Sequence, residues 1–292
     1  MNWKLKKIIT KDGINLEGIF FLPPSHKNKG ILFIHGFTGN FYSNIEILNA
    51  LAERLGKFGF GVASFNTRGH DIISWIRCEG KKEKKLLILG GAFEKFEDCI
   101  LDIEAGLKFL HSQGFNDLIL IGISTGADKV AYYLSKPHSK LIRGAVFLSP
   151  ADNILIGRKE LGKKLDTILK KTKRMIKIGK KNELILDPLL EFPISYHRFF
   201  SLYQEGSNEN VFVFHSGVKK SKVLSRIKEP IFLILGEKDR YLYNYSPQFV
   251  IRIIKRNIYS SFKSAVIKDA GHDFKGKEKK LANLIANWIK KL

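Results

Sequence analysis

The sequence predicts an α/β protein: a mostly parallel central sheet with helices on both faces, interrupted by one largely helical insertion. Three observations predict it. Short continuous apolar runs recur along the chain and stop at glycine-containing turns, the pattern of strands buried on both faces of a sheet. Most of these runs are followed by segments whose apolar residues recur at three and four, one face of a helix. Between about residues 151 and 227 this alternation lapses, and it returns at Pro230. Strand–helix alternation implies a parallel sheet covered on both sides. Residues 1–150 and 228–292 are therefore expected to form the core domain and residues 151–227 a cap.

Taken in order, Lys4–Thr10 and Asn15–Leu22 alternate around Lys11-Asp12-Gly13 and predict a hairpin, ended by Pro23-Pro24. Lys29–Ile34 is the first buried strand. It stops at His35-Gly36-Phe37-Thr38-Gly39-Asn40, and a helix follows on Ile45, Leu48, Leu51 and Leu55. Gly61–Phe65 is the next strand. Residues 66–91, with the charged run Lys81-Lys82-Glu83-Lys84-Lys85, read as a long irregular loop. Phe93, Phe96, Ile100, Ile103, Leu107 and Leu110 share a helix face. Asp117–Gly122 is a strand, Thr125–Ser135 a helix and Arg143–Leu148 a strand. After the insertion come a strand at Pro230–Gly236, a helix near Pro247–Lys255, a strand at Ser264–Ile267 and a helix near Lys277–Lys290.

At 292 residues the chain is long enough to bury a sizeable core without a metal or disulfide. Its two cysteines, Cys78 and Cys99, are too few for a disulfide framework. Charges interrupt the N-terminal apolar residues, and no apolar run reaches the length of a membrane span, so the expected compartment is the cytoplasm. The formal net charge is +22. Its lysines are spread widely and no aromatic-plus-basic motif accompanies them, so composition rather than nucleic-acid binding is the expected source. The densest run, Arg158 to Lys181, carries eleven Lys and Arg against Glu160 and Asp166. It reads as a solvated helix face. Peripheral contact with an anionic membrane, or an acidic substrate, are the other readings.

Gly122-Ile123-Ser124-Thr125-Gly126 fits G-x-S-x-G directly between a predicted strand and a predicted helix. A sharp turn there strains the serine backbone, and the glycines remove side chains that would clash. The hydroxyl then stands at a helix N-terminus, among unpaired N–H groups. A plain helix N-cap is the competing role for Ser124. A serine nucleophile needs a base. His272, after the last strand, reaches the same sheet edge, whereas His35 opens a loop that it is expected to support. His70 is the second choice, and the remaining histidines read as surface residues. The base needs an orienting acid. Asp239, just past a buried strand, is preferred to Asp152 and to Glu237 because its loop neighbours the His272 strand in the usual sheet order. The backbone N–H groups of Thr125 and Phe37 are the candidate oxyanion donors.

The His35-Gly36-Phe37 loop, the Gly122–Gly126 turn, Gly236–Asp239 and Gly271-His272 together resemble the α/β-hydrolases. Asn66-Thr67-Arg68-Gly69-His70-Asp71 is similar to a loop of the same superfamily. The resemblance implies an α/β-hydrolase fold and hydrolysis of small-molecule acyl esters through a covalent acyl-enzyme, with no cofactor and no metal. Ser124-Thr125-Gly126 with Asp128, and Pro193-Ile194-Ser195-Tyr196-His197-Arg198-Phe199, are similar to a poorly characterised group that includes fungal siderophore esterases. His35–Asn40 resembles feruloyl-type esterases. Ile123 stands where many members have histidine. A thioesterase, acyltransferase or peptidase using the same triad, and a non-catalytic binding protein with a basic cap, are the alternative functions. The aromatics Tyr196, Phe199 and Phe200 are candidates for the pocket wall or for the cap's own core.

Overall fold

A computed structural model of the chain describes residues 1–79, 84–216 and 221–292. Twelve strands and eight α-helices run through these residues in the order β1 (Lys4–Ile9), β2 (Asn15–Phe21), β3 (Lys29–Ile34), α1 (Ile45–Gly56), β4 (Phe60–Phe65), β5 (Ser74–Glu79), β6 (Lys84–Leu89), α2 (Cys99–Ser112), β7 (Asp117–Ile123), α3 (Thr125–Leu134) and β8 (Ile142–Leu148). Then follow α4 (Asn153–Leu161), α5 (Lys164–Lys177), β9 (Leu184–Ile185), β10 (Ile194–Ser195), α6 (Tyr196–Tyr203), β11 (Ile231–Gly236), α7 (Pro247–Lys255), β12 (Phe262–Ile267) and α8 (Glu278–Ile289).

Eight strands form one sheet in the order β1-β2-β4-β3-β7-β8-β11-β12. The β1–β2 and β2–β4 pairs are antiparallel, and every pair from β4 to β12 is parallel. The apolar runs explain the placement. In β3, Leu32 and Ile34 join one core with Ile103 of α2 and Val130 of α3, while Ile31 and Phe33 join the other with Leu48 of α1 and Ile285 of α8. Alternate residues of one strand thus feed both layers, so a central parallel strand needs no polar face. Among the described residues, no helix is long and apolar enough to cross a membrane.

Two expectations change. Residues 66–91 are not wholly irregular: β5 and β6 pair antiparallel, with Trp75 opposite Ile88. Ser74 and Ile76 are buried while Trp75 and Arg77 are exposed, a period of two that the long charged stretch obscured. Lys81, Lys82 and Glu83 lie outside the described residues, as do 217–220 of the predicted cap. Phe93 also lies ahead of the helix it was expected to join. A short 3₁₀ turn, Phe96–Asp98, precedes α2.

Between β8 and β11 the chain leaves the sheet. Leu161 and Leu165 pack with Ile168, Ile185, Ile194, Tyr196, Phe199 and Leu202 into a small separate core. The aromatics that follow go elsewhere: Phe212 and Phe214 join the main core beside α3.

Candidate active site

The turn from β7 to α3 has no spare residue. Ser124 N–H still donates to Leu148 O of the neighbouring strand at 2.9 Å, while Ser124 O already accepts from Ala127 N–H at 2.9 Å. One residue serves the sheet and the helix at once, and its backbone takes φ = 53° and ψ = −127°. Such a conformation in a residue with a side chain stores about 1–3 kcal/mol of strain. The flanking glycines make it possible. A Cβ on Gly122 would lie 2.3 Å from Gly126 O, and one on Gly126 would lie 2.3 Å from Ile34 O. The N-cap role fails, since the Ser124 side chain makes no capping bond to α3.

The loops after β11 and β12 are laced together. Glu237 N–H donates to Ile267 O at 3.0 Å and Lys238 N–H to Ala270 O at 2.8 Å. They run so close that a Cβ on Gly236 would lie 2.3 Å from Gly271 O. This brings Asp239 against His272: Nδ1 lies 3.0 and 2.9 Å from the two carboxylate oxygens. The Asp239 side chain is buried, and its Oδ1 also accepts from Tyr241 N–H at 3.0 Å. The Tyr241 ring meets the imidazole edge-on, with centroids 4.6 Å apart. Glu237 is occupied elsewhere, accepting from Asp269 N–H.

Ser124 and His272 line one cavity of about 560 Å³, together with Gly36, Phe37 and Thr125. Among the described residues, neither Phe37 N–H nor Thr125 N–H has a hydrogen-bond acceptor. Thr125 is the first residue of α3, where the helix offers its N–H no partner. A Cβ on Gly36 would lie 3.1 Å from Ser124 Cβ, so the glycine lets this loop close over the serine. Phe192, Tyr203 and Tyr241 complete the aromatic part of the wall. Tyr196 and Phe199 do not reach the cavity and pack in the insertion's own core.

The other candidates have structural employment. His35 is buried and accepts from Thr67 N–H through Nε2 at 2.9 Å, while its Nδ1 lies 2.8 Å from Gly36 O. Burial pushes this imidazole down to about 3, and the nearby Lys129 ammonium pushes the same way. It supports the loop, as expected. His70 bonds Thr67 O through Nδ1 and lines a separate groove beside Trp75 and Arg77. Asp152 N-caps α4 through Leu155 N–H, accepts from Phe214 and His215 N–H, and lies 2.7 Å from His215 Nδ1. That carboxylate joins the two ends of the insertion, residue 152 to residues 214 and 215, rather than serving His272. His138 and His215 are paired rather than plain surface residues, His138 with Glu229 at 3.0 Å.

Sequence reasoning missed a buried ionic chain that reaches Phe37 of the cavity wall through Arg198. Lys129 Nζ lies 2.6 Å from Glu94 Oε1, and Arg198 Nη2 lies 3.2 Å from Glu94 Oε2 and 2.7 Å from Glu209 Oε1. All four side chains are almost wholly shielded from solvent. Arg198 had a signal in the Pro193–Phe199 segment. Glu94, Lys129 and Glu209 belong to no pattern a single sequence displays.

Solved structures similar to this chain include an esterase, Pf2001, from Pyrococcus furiosus, at 23% identity and TM-score 0.60 over 99% of this chain and 91% of that one. Est1E from Butyrivibrio proteoclasticus, with ferulic acid bound, is 17% identical with TM-score 0.67 over 97% and 98%. A thermostable carboxyl esterase from Bacillus coagulans, in complex with glycerol, is 14% identical with TM-score 0.69 over 100% and 99%. No curated protein matches the chain significantly in sequence. At these identities the likeness establishes the α/β-hydrolase fold expected from the motifs. Residues 15–291 match the family described as protein of unknown function (DUF1749), and the chain belongs to that family.

Proposed function

We propose that this protein is a serine hydrolase that cleaves carboxylic esters through Ser124, His272 and Asp239. The observation that carries the reading is the Asp239–His272 pair, whose imidazole lines a cavity with Ser124, a serine strained onto a helix N-terminus without any capping bond. Ser124 Oγ attacks the ester carbonyl carbon, and its proton passes to His272 Nε2. Asp239 holds Nδ1–H and stabilises the imidazolium. The carbonyl oxygen, now an oxyanion, takes the free N–H groups of Phe37 and Thr125. The alcohol departs with the proton from Nε2. Water, deprotonated by His272, then releases the acid and restores Ser124. The segment 151–227 caps the cavity, supplying Phe192 and Tyr203 to its wall. The aromatic lining, and the ferulic acid held by a protein of the same fold, make a feruloyl-type ester the first substrate to try.

The test is labelling with a fluorophosphonate, read by intact mass, beside ester turnover. Wild type should take a single adduct, and Ser124→Ala and His272→Ala should take none. Asp239→Asn should keep the fold and lose on the order of 10⁴ in kcat, because the amide holds the imidazole in the wrong tautomer. A well-folded wild type that neither labels nor turns over an ester series refutes the proposal.

A further inference from the structure

We infer that Arg198, in the insertion, is a positioning residue for the oxyanion donor Phe37, and so makes the inserted segment part of the catalytic machinery. The inference rests on the ester-hydrolase reading. Among the described residues, Arg198 is the largest of the wholly buried side chains, and it sits on α6. Its guanidinium is held edge-on by carboxylates from two sides: Glu209 grips both Nη1 and Nη2, and Glu94 approaches Nη2 at 3.2 Å. Ser201 Oγ donates to the same Glu209 at 2.7 Å. Burial alone would raise the Glu94 carboxyl, but Lys129 and Arg198 hold it below its usual range, so Glu94 stays a carboxylate.

Nη1 and Nη2 are fixed by the carboxylates, Nε has no hydrogen-bond partner among the described residues, and the guanidinium lies over Phe37. Arg198 Cζ stands 5.0 Å from the Phe37 ring centroid. Phe192 packs on the same ring at 5.3 Å, and Phe37 is otherwise seated against the insertion's core. A cation over a desolvated aromatic face is a directional contact, and a planar guanidinium fits it better than an ammonium does. The Phe37 side chain is therefore anchored in the insertion, while Phe37 itself lines the cavity holding Ser124.

A second arm reaches the same loop from the core. Glu94 pairs with Lys129, Lys129 Nζ donates to Thr67 Oγ1 at 3.0 Å, and Thr67 N–H donates to His35 Nε2. His35 in turn bonds Gly36 O, one residue from the donor N–H. Glu94 is the junction of the two arms. The loop Gly36-Phe37 is thus fixed at both ends of one peptide-length stretch, from below by His35 and from the insertion by Arg198. Rigid donors are worth more than mobile ones, because they need no reorganisation as charge develops.

The experiment is a double-mutant cycle on Arg198→Lys and Phe37→Leu. Lysine keeps the charge between Glu94 and Glu209 but has no planar face. Leucine keeps an apolar contact with Phe192 but offers no ring. Each single variant should stay folded and lose about tenfold in kcat, a fraction of the 10²–10³ lost with a whole donor. KM should stay within twofold, and affinity for a trifluoromethyl ketone should fall in step with kcat while affinity for the product acid does not. The double variant should be no worse than either single, because both remove one interaction. Additive losses, or kcat within twofold of wild type in Arg198→Lys, overturn the inference. Should Arg198→Lys fail to fold, a Phe37→Leu variant with undiminished kcat overturns it alone. An inactive, unlabelled wild type refutes the hydrolase reading instead, so the two failures are distinguishable.

Discussion

At the scale of single residues, the candidate site is set apart by what each residue is denied. Ser124 is denied its capping bond, Thr125 and Phe37 are denied acceptors among the described residues, and Asp239 is denied water. His35 shows the converse. With Nε2 accepting from Thr67 N–H, it has no room for a second ring proton unless that bond breaks. Its imidazole is held at about 3 by burial and then by Lys129, against about 6.5 in an unfolded chain. Between those values the unfolded chain binds a proton that the folded chain does not, so stability rises with pH there. The His35 contribution is complete above about pH 6.5 and declines as pH falls toward 3. His35→Asn has nothing to titrate. Its Tm should fall less steeply than that of wild type between pH 6 and pH 4, and equal slopes would show that His35 does not govern this window.

At the scale of elements, the decisive feature is how tightly β3, β7 and α3 are pressed together. Gly126 lies against Ile34 O and His35 O at distances where a Cβ would be 2.3 and 2.6 Å away, both of them backbone atoms that cannot swing aside. Gly126→Ala should therefore cost about 3 kcal/mol or more, the upper end of overpacking penalties. Gly271→Ala, whose Cβ would meet only Asp273 Oδ1 at 3.7 Å, should stay within about 1 kcal/mol of wild type. Urea unfolding of both variants tests this, and equal midpoints would mean that α3 can shift away from the sheet. The strands and helices of this region were legible in the sequence to within a residue or two, because each buried run is bounded by glycine or by a helical period. The β5–β6 hairpin was not, since one strand alternates and its partner, Leu86–Leu89, is a plain apolar run beside lysines.

At the scale of the molecule, the charge is spread over a surface that the fold leaves available. α5 carries much of it, yet its apolar residues Leu165 and Ile168 are buried against α6. The helix thus presents lysines outward and no apolar face, as a solvated surface helix does. The triple variant Lys163→Glu, Lys170→Glu, Lys173→Glu should change stability by only about 0.5 kcal/mol per site and leave kcat on a neutral ester within twofold. Lost turnover at unchanged Tm would assign the basic face a part in handling substrate. The insertion, by contrast, is bound to the core through a buried ion pair, Arg198 to Glu94, while Asp152 and His215 tie its own two ends together.

By itself, the sequence determined the alternation of strands and helices and the serine turn, and it offered Ser124, Asp239 and His272 as candidates in that order, because these are carried by local patterns: runs, periods and glycines at fixed spacing. The preference for Asp239 over Asp152 rested on sheet order, and only the tertiary structure shows which carboxylate lies beside which imidazole, Asp239 at His272 and Asp152 at His215. The same holds for the Glu94–Lys129–Arg198–Glu209 chain, whose members are scattered over more than a hundred residues and meet in a dry interior. Buried charges must find partners wherever the fold puts them, and pairing between residues so far apart leaves no periodic trace along the chain.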